Sequence, residues 1–234
     1  MARSKKASLI TNLCIAVVLF GLGFAVFTAD LANVFISVSA PVSNGKPERI
    51  SVLFAVEENT SYEDLDVLLK RLEVTKTPAT FFVAGVWATK TANRDLVKIM
   101  AEKFEIGNMG FSGKALAKKS EKDQYAEIYN CHKLIKSITS EADFSKTNGG
   151  VSAEVGEPYE MSLFMPPQGS FDKKTLKCAQ KMGYKAVMWS TESVENVHGG
   201  DFILLKVNLS TSAWYPISNK LSAFKIAKVS ENLL

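Results

Sequence analysis

The feature that most constrains this chain is a recurrence: short, continuous apolar runs alternate with amphipathic stretches of helical spacing. The first run is Ile50-Ser51-Val52-Leu53-Phe54-Ala55-Val56. A strand covered on one face alternates apolar and polar residues, so a nearly unbroken run marks a strand buried on both faces. Immediately after it, residues 60–72 set Leu65, Val67, Leu68, Leu69 and Leu72 at helical spacing behind a Ser61-x-x-Asp64 start. A serine there supplies an acceptor to the first free helix amides. The unit recurs as strand 79–84, helix 94–104, strand 105–108 and helix 122–139. It continues as strand 161–165, helix 173–182, strands 186–190 and 201–207, helix 215–223 and strand 225–229. Strands that alternate with helices run parallel, because each crossover helix returns the chain to the same end of the sheet. About seven such strands predict an incomplete α/β barrel with its site at the C-terminal strand ends.

Two segments break the rhythm. Residues 140–160 carry Asn148-Gly149-Gly150 and Gly156-Glu157-Pro158 and are expected to form either a lid or a disordered loop. Residues 7–29 contain no charged side chain and follow Arg3, Lys5 and Lys6. That length spans a bilayer as a helix, and the basic flank puts the N-terminus in the cytoplasm. The expected organisation is therefore a cytoplasmic flank (1–6), a transmembrane signal-anchor helix (7–37), a linker (38–49) and an exported domain (50–234). A cleaved signal peptide is the alternative, but the run exceeds an h-region and Phe27 would sit three residues before the end of a cut after Ala29. The mature chain is accordingly expected to begin near Met1, bound to the cell membrane as a single-pass protein with its domain outside the cytoplasm.

Charge narrows the function classes. Without the three basic residues of the flank the formal net charge falls from +4 to +1, which argues against a nucleic-acid surface. Of the three cysteines, Cys14 lies in the apolar run, while Cys131 and Cys178 fall on separate amphipathic segments. Both are expected as buried thiols, with a disulfide between them the less favoured reading.

Five stretches carry more specific information. They are Ala79-Thr80-Phe81-Phe82-Val83-Ala84-Gly85, Glu105-Ile106-Gly107-Asn108-Met109-Gly110-Phe111-Ser112-Gly113, Met165-Pro166-Pro167-Gln168-Gly169, the segment from Met182-Gly183-Tyr184 to Trp189-Ser190, and Gly200-Asp201-Phe202-Ile203-Leu204-Leu205-Lys206. In this order and spacing they resemble the motifs of the polysaccharide deacetylases, the NodB-homology domain of carbohydrate esterase family four. The resemblance covers residues 50–234. It implies a distorted, incomplete (β/α)7-type barrel, here preceded by one transmembrane helix, and a kinship with enzymes that hydrolyse N-acetyl groups of amino-sugar glycans such as peptidoglycan or chitin-like polymers.

The resemblance also implies where chemistry would sit. The family's general base aligns with Glu57 and its metal-binding aspartate with Glu58, while its two histidine ligands align with Met109 and Gly113. Its arginine aligns with Met165, the oxyanion-binding backbone N–H with Gln168, and its late histidine acid with Lys206. Pro167, Trp189 and Glu192 would line the cleft. Family members use zinc or another divalent metal. A thioether is a poor zinc donor and glycine offers none, so a site with three protein ligands is not expected from these residues, and neither is a cofactor.

The leading expectation is thus a non-catalytic, cell-wall glycan-binding relative of the deacetylases. The alternatives are an active carbohydrate deacetylase, a hydrolase of non-peptide C–N bonds, using Glu57, Glu58 and Glu192 in an atypical site, or a membrane-surface scaffold that contacts a protein partner through residues 140–160. Glu57 and Glu58 have a plainer reading as favourable charge ahead of the next helix. Trp87, Trp189 and Trp214 are sugar platforms or core, and core is the expectation. The chain's two histidines, His132 and His198, are expected to be structural or exposed. Lys206 is expected to pair with Glu57 or Glu58 in place of the missing cation, or else to extend into solvent.

Overall fold

The computed structural model describes residues 15, 17, 18, 21, 38–143, 154, 155 and 157–233. The chain divides into two units, Met1–Val38 and Ser39–Leu234. The expected membrane span lies almost wholly outside the described residues, and among those no helix is long and apolar enough to cross a membrane.

The second unit is a parallel α/β half-barrel. Its strands are β1 (Arg49–Val56), β2 (Thr80–Val83), β3 (Glu105–Asn108), β4 (Ala142–Asp143), β5 (Glu154–Val155), β6 (Leu163–Phe164), β7 (Lys185–Ala186), β8 (Phe202–Lys206) and β9 (Lys225–Ile226). The main sheet runs β7-β6-β3-β2-β1-β8, with β9 beside the start of β1. Every pairing within it is parallel. Ile50 to Val56 of β1 are all buried, as the unbroken apolar run requires of a central strand.

Alternation along the strands sorts side chains into two clusters. Val52, Phe54 and Val56 of β1, Phe81 and Val83 of β2 and Ile203 and Leu205 of β8 face the helices. Leu53, Ala55, Phe82, Phe202 and Leu204, from the alternate positions, fill the barrel lumen. Gly107 exists for that second cluster: a Cβ there would lie 2.3 Å from Cε1 of Phe82.

Helices begin where local chemistry tells them to. Ser61 Oγ accepts the Asp64 N–H at 3.2 Å to open helix Tyr62–Val74. Ser120 Oγ accepts that of Asp123 at 3.1 Å to open the long helix Glu121–Thr139. Asp172 and Thr175 form a reciprocal capping box at the start of helix Lys173–Lys181.

Three expectations change. The strands expected over 161–165, 186–190 and 225–229 shrink to β6, β7 and β9, each two residues long. Pro166 and Pro167 carry no N–H and end the first of them. The expected linker is knitted into the domain: Val42 bridges Val187 and Asn44 bridges Asp201. Val42 N–H donates to Ala186 O at 3.0 Å and Gly45 N–H to Gly200 O at 2.8 Å. These bonds satisfy backbone groups that the gap between β7 and β8 would leave unpaired. Within residues 140–160, β4 and β5 pair antiparallel, so part of this segment is ordered as a ladder.

Candidate functional site

Strand register brings Glu57, Met109, Met165 and Lys206, among the sequence-predicted residues, to one end of the barrel. Val56 pairs with Val83, Val83 with Asn108, Asn108 with Phe164 and Phe164 with Ala186, while Ala55 pairs with Lys206. Counting on by alternation, Glu57, Ala84, Met109, Met165, Val187 and Lys206 share the lumen-facing parity at the mouth. Most of this rim is apolar. Met109 and Met165 are buried, at 2% and 1% exposure, and pack in the lumen cluster with Ala84, Val187 and the half-buried Trp189.

The polar members of the rim are Glu57 and Lys206. Lys206 Nζ lies 4.0 Å from Glu57 Oε2, with side-chain exposures of 68% and 36%. The expected pairing thus exists, but as a loose contact in solvent, and the buried, cation-replacing bridge is corrected. An exposed pair contributes only about 0–1 kcal/mol, because water screens it and ordering two long side chains costs entropy. Glu57 does not cap the following helix, whose acceptor is Ser61. Glu58 is exposed, and its backbone carbonyl accepts from Lys90 Nζ at 3.2 Å.

The remaining predicted residues divide by burial. Gln168 is exposed and holds φ 56° in the turn Pro167–Gly169, a left-handed backbone that is strained for a residue with a Cβ. Pro167 is buried beneath it, and the Trp189 indole lies along it, since a Cβ on Gly169 would meet Trp189 Cη2 at 3.1 Å. Glu192 is exposed. Trp87 and Trp214 are fully buried, as expected of core. His198 is exposed, while Cys131 and Cys178 are free and buried. Burial pushes the Cys131 thiol up to about 12, which leaves it unreactive at neutral pH.

Two supports of the site carried no sequence signal. Glu127, on the long helix, accepts the Ser112 N–H and Oγ–H and the Lys119 ammonium, each at 2.7 Å. It thereby pins the loop that carries Met109 and Gly113. Burial raises the Glu127 carboxyl, but the Lys119 and Ser112 bonds outweigh it and hold its pKa below the ordinary value. Asn108, fully buried, accepts the Gly110 N–H at 2.8 Å and donates to Ile128 O at 2.9 Å and Tyr184 Oη at 3.1 Å. With Oη accepting from Asn108, its own proton goes to His132 Nδ1 at 2.6 Å, and Nε2–H then faces Glu160 Oε2 at 3.7 Å. His132 is thus a structural histidine.

As zinc donors the residues at the family positions do not fit. Met109 is packed in hydrocarbon, Glu58 points to solvent, and Gly113 holds φ +66° with its Cβ position 3.1 Å from the Ala84 Cβ. Among the described residues no group of three or more His, Cys, Asp or Glu side chains gathers as a metal site.

A parallel half-barrel with this motif order at its strand ends defines the class as a carbohydrate-esterase-type barrel. Residues 45–187 match the Polysaccharide deacetylase family, and the chain belongs to it. It is 26% identical over 155 residues to the uncharacterized protein YlxY of Bacillus subtilis (strain 168), across 66% of this chain and 43% of that one. The chain therefore spans less than half the length of that curated relative. Among solved structures it is similar to BA3943 of Bacillus anthracis, described as a CE4 family pseudoenzyme, with a TM-score of 0.69 and 21% identity over 85% of this chain and 70% of that one. A family 4 carbohydrate esterase from Bacillus anthracis follows at TM-score 0.66 and 22% identity, covering 82% and 86% of the two chains. The peptidoglycan deacetylase PdaC from Bacillus subtilis gives 0.61 and 21%, covering 80% and 90%. At these identities the likeness is one of fold.

Proposed function

We propose that this chain is a membrane-anchored, extracytoplasmic member of the polysaccharide deacetylase family that does not catalyse deacetylation and instead contacts cell-wall glycan. The observation that carries the reading is the burial of Met109 and Met165 in the lumen cluster, where the family places a metal-binding histidine and an arginine. Hydrolysing an acetamide needs an activated water, a base and a positive centre facing the oxyanion. Glu57 is the remaining candidate base. Among the described residues no group of three or more His, Cys, Asp or Glu side chains gathers to hold a metal that would lower the pKa of a water, and the one cation at the mouth, Lys206, is 68% exposed and only loosely held near Glu57 at 4.0 Å. Family kinship supports an amino-sugar polymer such as peptidoglycan as the ligand, and the half-buried Trp189 beside exposed Gln168 supplies an aromatic and a polar contact for it. The uncharged stretch 7–29 behind Arg3, Lys5 and Lys6 supports the anchor and its orientation.

The test is an acetate-release assay on N-acetylated chitooligosaccharides and peptidoglycan with zinc or cobalt added, beside a sedimentation assay with insoluble peptidoglycan. Sedimentation with the wall and no acetate release are expected. Acetate release that disappears in Glu57→Gln would establish an atypical active site and overturn the reading.

A further inference from the structure

The outer surface of the long helix Glu121–Thr139 carries an arrangement that neither the fold nor the barrel mouth requires. Tyr125, Tyr129, His132, Lys133, Lys136 and Ser140 recur at three- and four-residue spacing and so share one helical face, distinct from the buried face of Ile128, Cys131, Ile135 and Ile138. Tyr125 and Tyr129 are 42% and 43% exposed, with nearly parallel rings (12°) whose centres are 6.0 Å apart. Exposed tyrosines at adjacent turns contribute little to a core, yet here they stack on one another as an exposed aromatic pair. Tyr129 also forms part of the wall of a cavity of about 550 Å³, together with His132, Lys133, Lys136, Ser137 and Pro158.

Charge and hydrogen-bonding capacity around the cavity are uneven. Lys136 is paired with Glu160, which also lies 3.7 Å from His132 Nε2. Lys133 is exposed and has no carboxylate partner among the described residues. An ammonium without a carboxylate partner among the described residues, serine hydroxyls and an aromatic wall therefore converge on a space of small-ligand size.

We propose that this surface is a second binding site, for an acidic glycan, a polymer whose sugar rings carry carboxylates. Sugar rings present flat C–H faces that pack on tyrosine rings, and tyrosine orders at low entropic cost. Successive rings of a polymer suit two parallel tyrosines one helical turn apart better than a single small ligand does. Ser137 and Ser140 can donate to or accept from sugar hydroxyls, and Lys133 supplies a charged donor for the carboxylate. The site lies on the outside of the barrel and stands whether or not the mouth retains catalysis.

The experiment is calorimetric titration of the full chain with the disaccharide N-acetylglucosaminyl-N-acetylmuramic acid and with its carboxyl methyl ester. The acid should bind about fivefold or more tightly than the ester. Tyr129→Ala should weaken the acid about tenfold with an unchanged thermal midpoint, and Lys133→Gln should erase the preference for acid over ester. Equal affinity for acid and ester, or no measurable binding of either, overturns the proposal. So does binding that survives Tyr129→Ala but is lost in Trp189→Ala, because the mouth would then be the whole glycan site.

Discussion

Met109, which the motif resemblance aligns with a metal-binding histidine, is held by the strand frame and packed in hydrocarbon. Its N–H still donates to Val83 O at 3.1 Å, while its side chain joins the lumen cluster. Restoring chemistry by single substitutions is therefore costly. Met109→His would bury an imidazole among Ala84, Met165 and Val187, and a buried polar group without a partner costs about 1–3 kcal/mol. Gly113→His adds a side chain at φ +66° against the Ala84 Cβ. The expected outcome is a lower denaturant midpoint for Met109→His, with a further drop in the double variant unless zinc is added. Lys206 behaves oppositely. With 68% of its side chain exposed, Lys206→Met should change stability by less than about 1 kcal/mol, a midpoint shift within roughly 4 °C. A larger fall in a thermal melt would show that the Glu57 contact is far stronger than an exposed pair.

At the scale of elements, the loop from Gly110 to Gly113 is held from outside by the long helix. Glu127 has a folded-state pKa below its ordinary value of 4.5, so its contribution is fully present above that value and is lost as pH falls through the lower, folded one. Glu127→Gln should cost about 1.5–3 kcal/mol at pH 7, the range for hydrogen bonds to a charged group. The gap to the parent should close as pH drops below about 4. Denaturation curves at pH 7 and pH 3.5 check this, and a pH-independent gap would mean the charge is immaterial. Tyr184→Phe should cost about 1–3 kcal/mol, because one Asn108 donor bond and the His132 acceptor lose their partner. Neither support was legible in the sequence. Ser61 announces its helix one residue ahead, and β1 declares its burial by its unbroken apolar run. Asn108 and Tyr184, by contrast, meet across 76 positions, and no local periodicity encodes that contact. The pairing of residues 42–45 with the β7 and β8 region was hidden for the same reason, since Ser, Pro, Asn and Gly composition signals a turn whatever it hydrogen-bonds to. The mouth residues were legible because motif order fixes strand ends. Exposure was not, and it separates a buried salt bridge from the loose Lys206 contact.

For the whole molecule, the half-barrel is stabilised by two apolar clusters, and at its mouth the lumen cluster takes in Met109 and Met165, which the motif resemblance aligns with a metal-binding histidine and an arginine of the family. A barrel built this way needs no ion to hold its strand ends together, so chelation with EDTA should leave the thermal midpoint of the full chain unchanged. An anchored domain should also report its orientation: an enzyme reporter fused after Leu234 is expected to be active only outside the cytoplasm, and cytoplasmic reporter activity would reverse the topology. The central claim is that the mouth, as these residues build it, cannot hold a catalytic metal. The most direct measurement is calorimetric titration of the full chain with zinc at neutral pH. The account predicts no saturable binding at micromolar concentrations, whereas one equivalent bound at micromolar or tighter affinity, and lost in Glu57→Gln or Glu58→Gln, would contradict it.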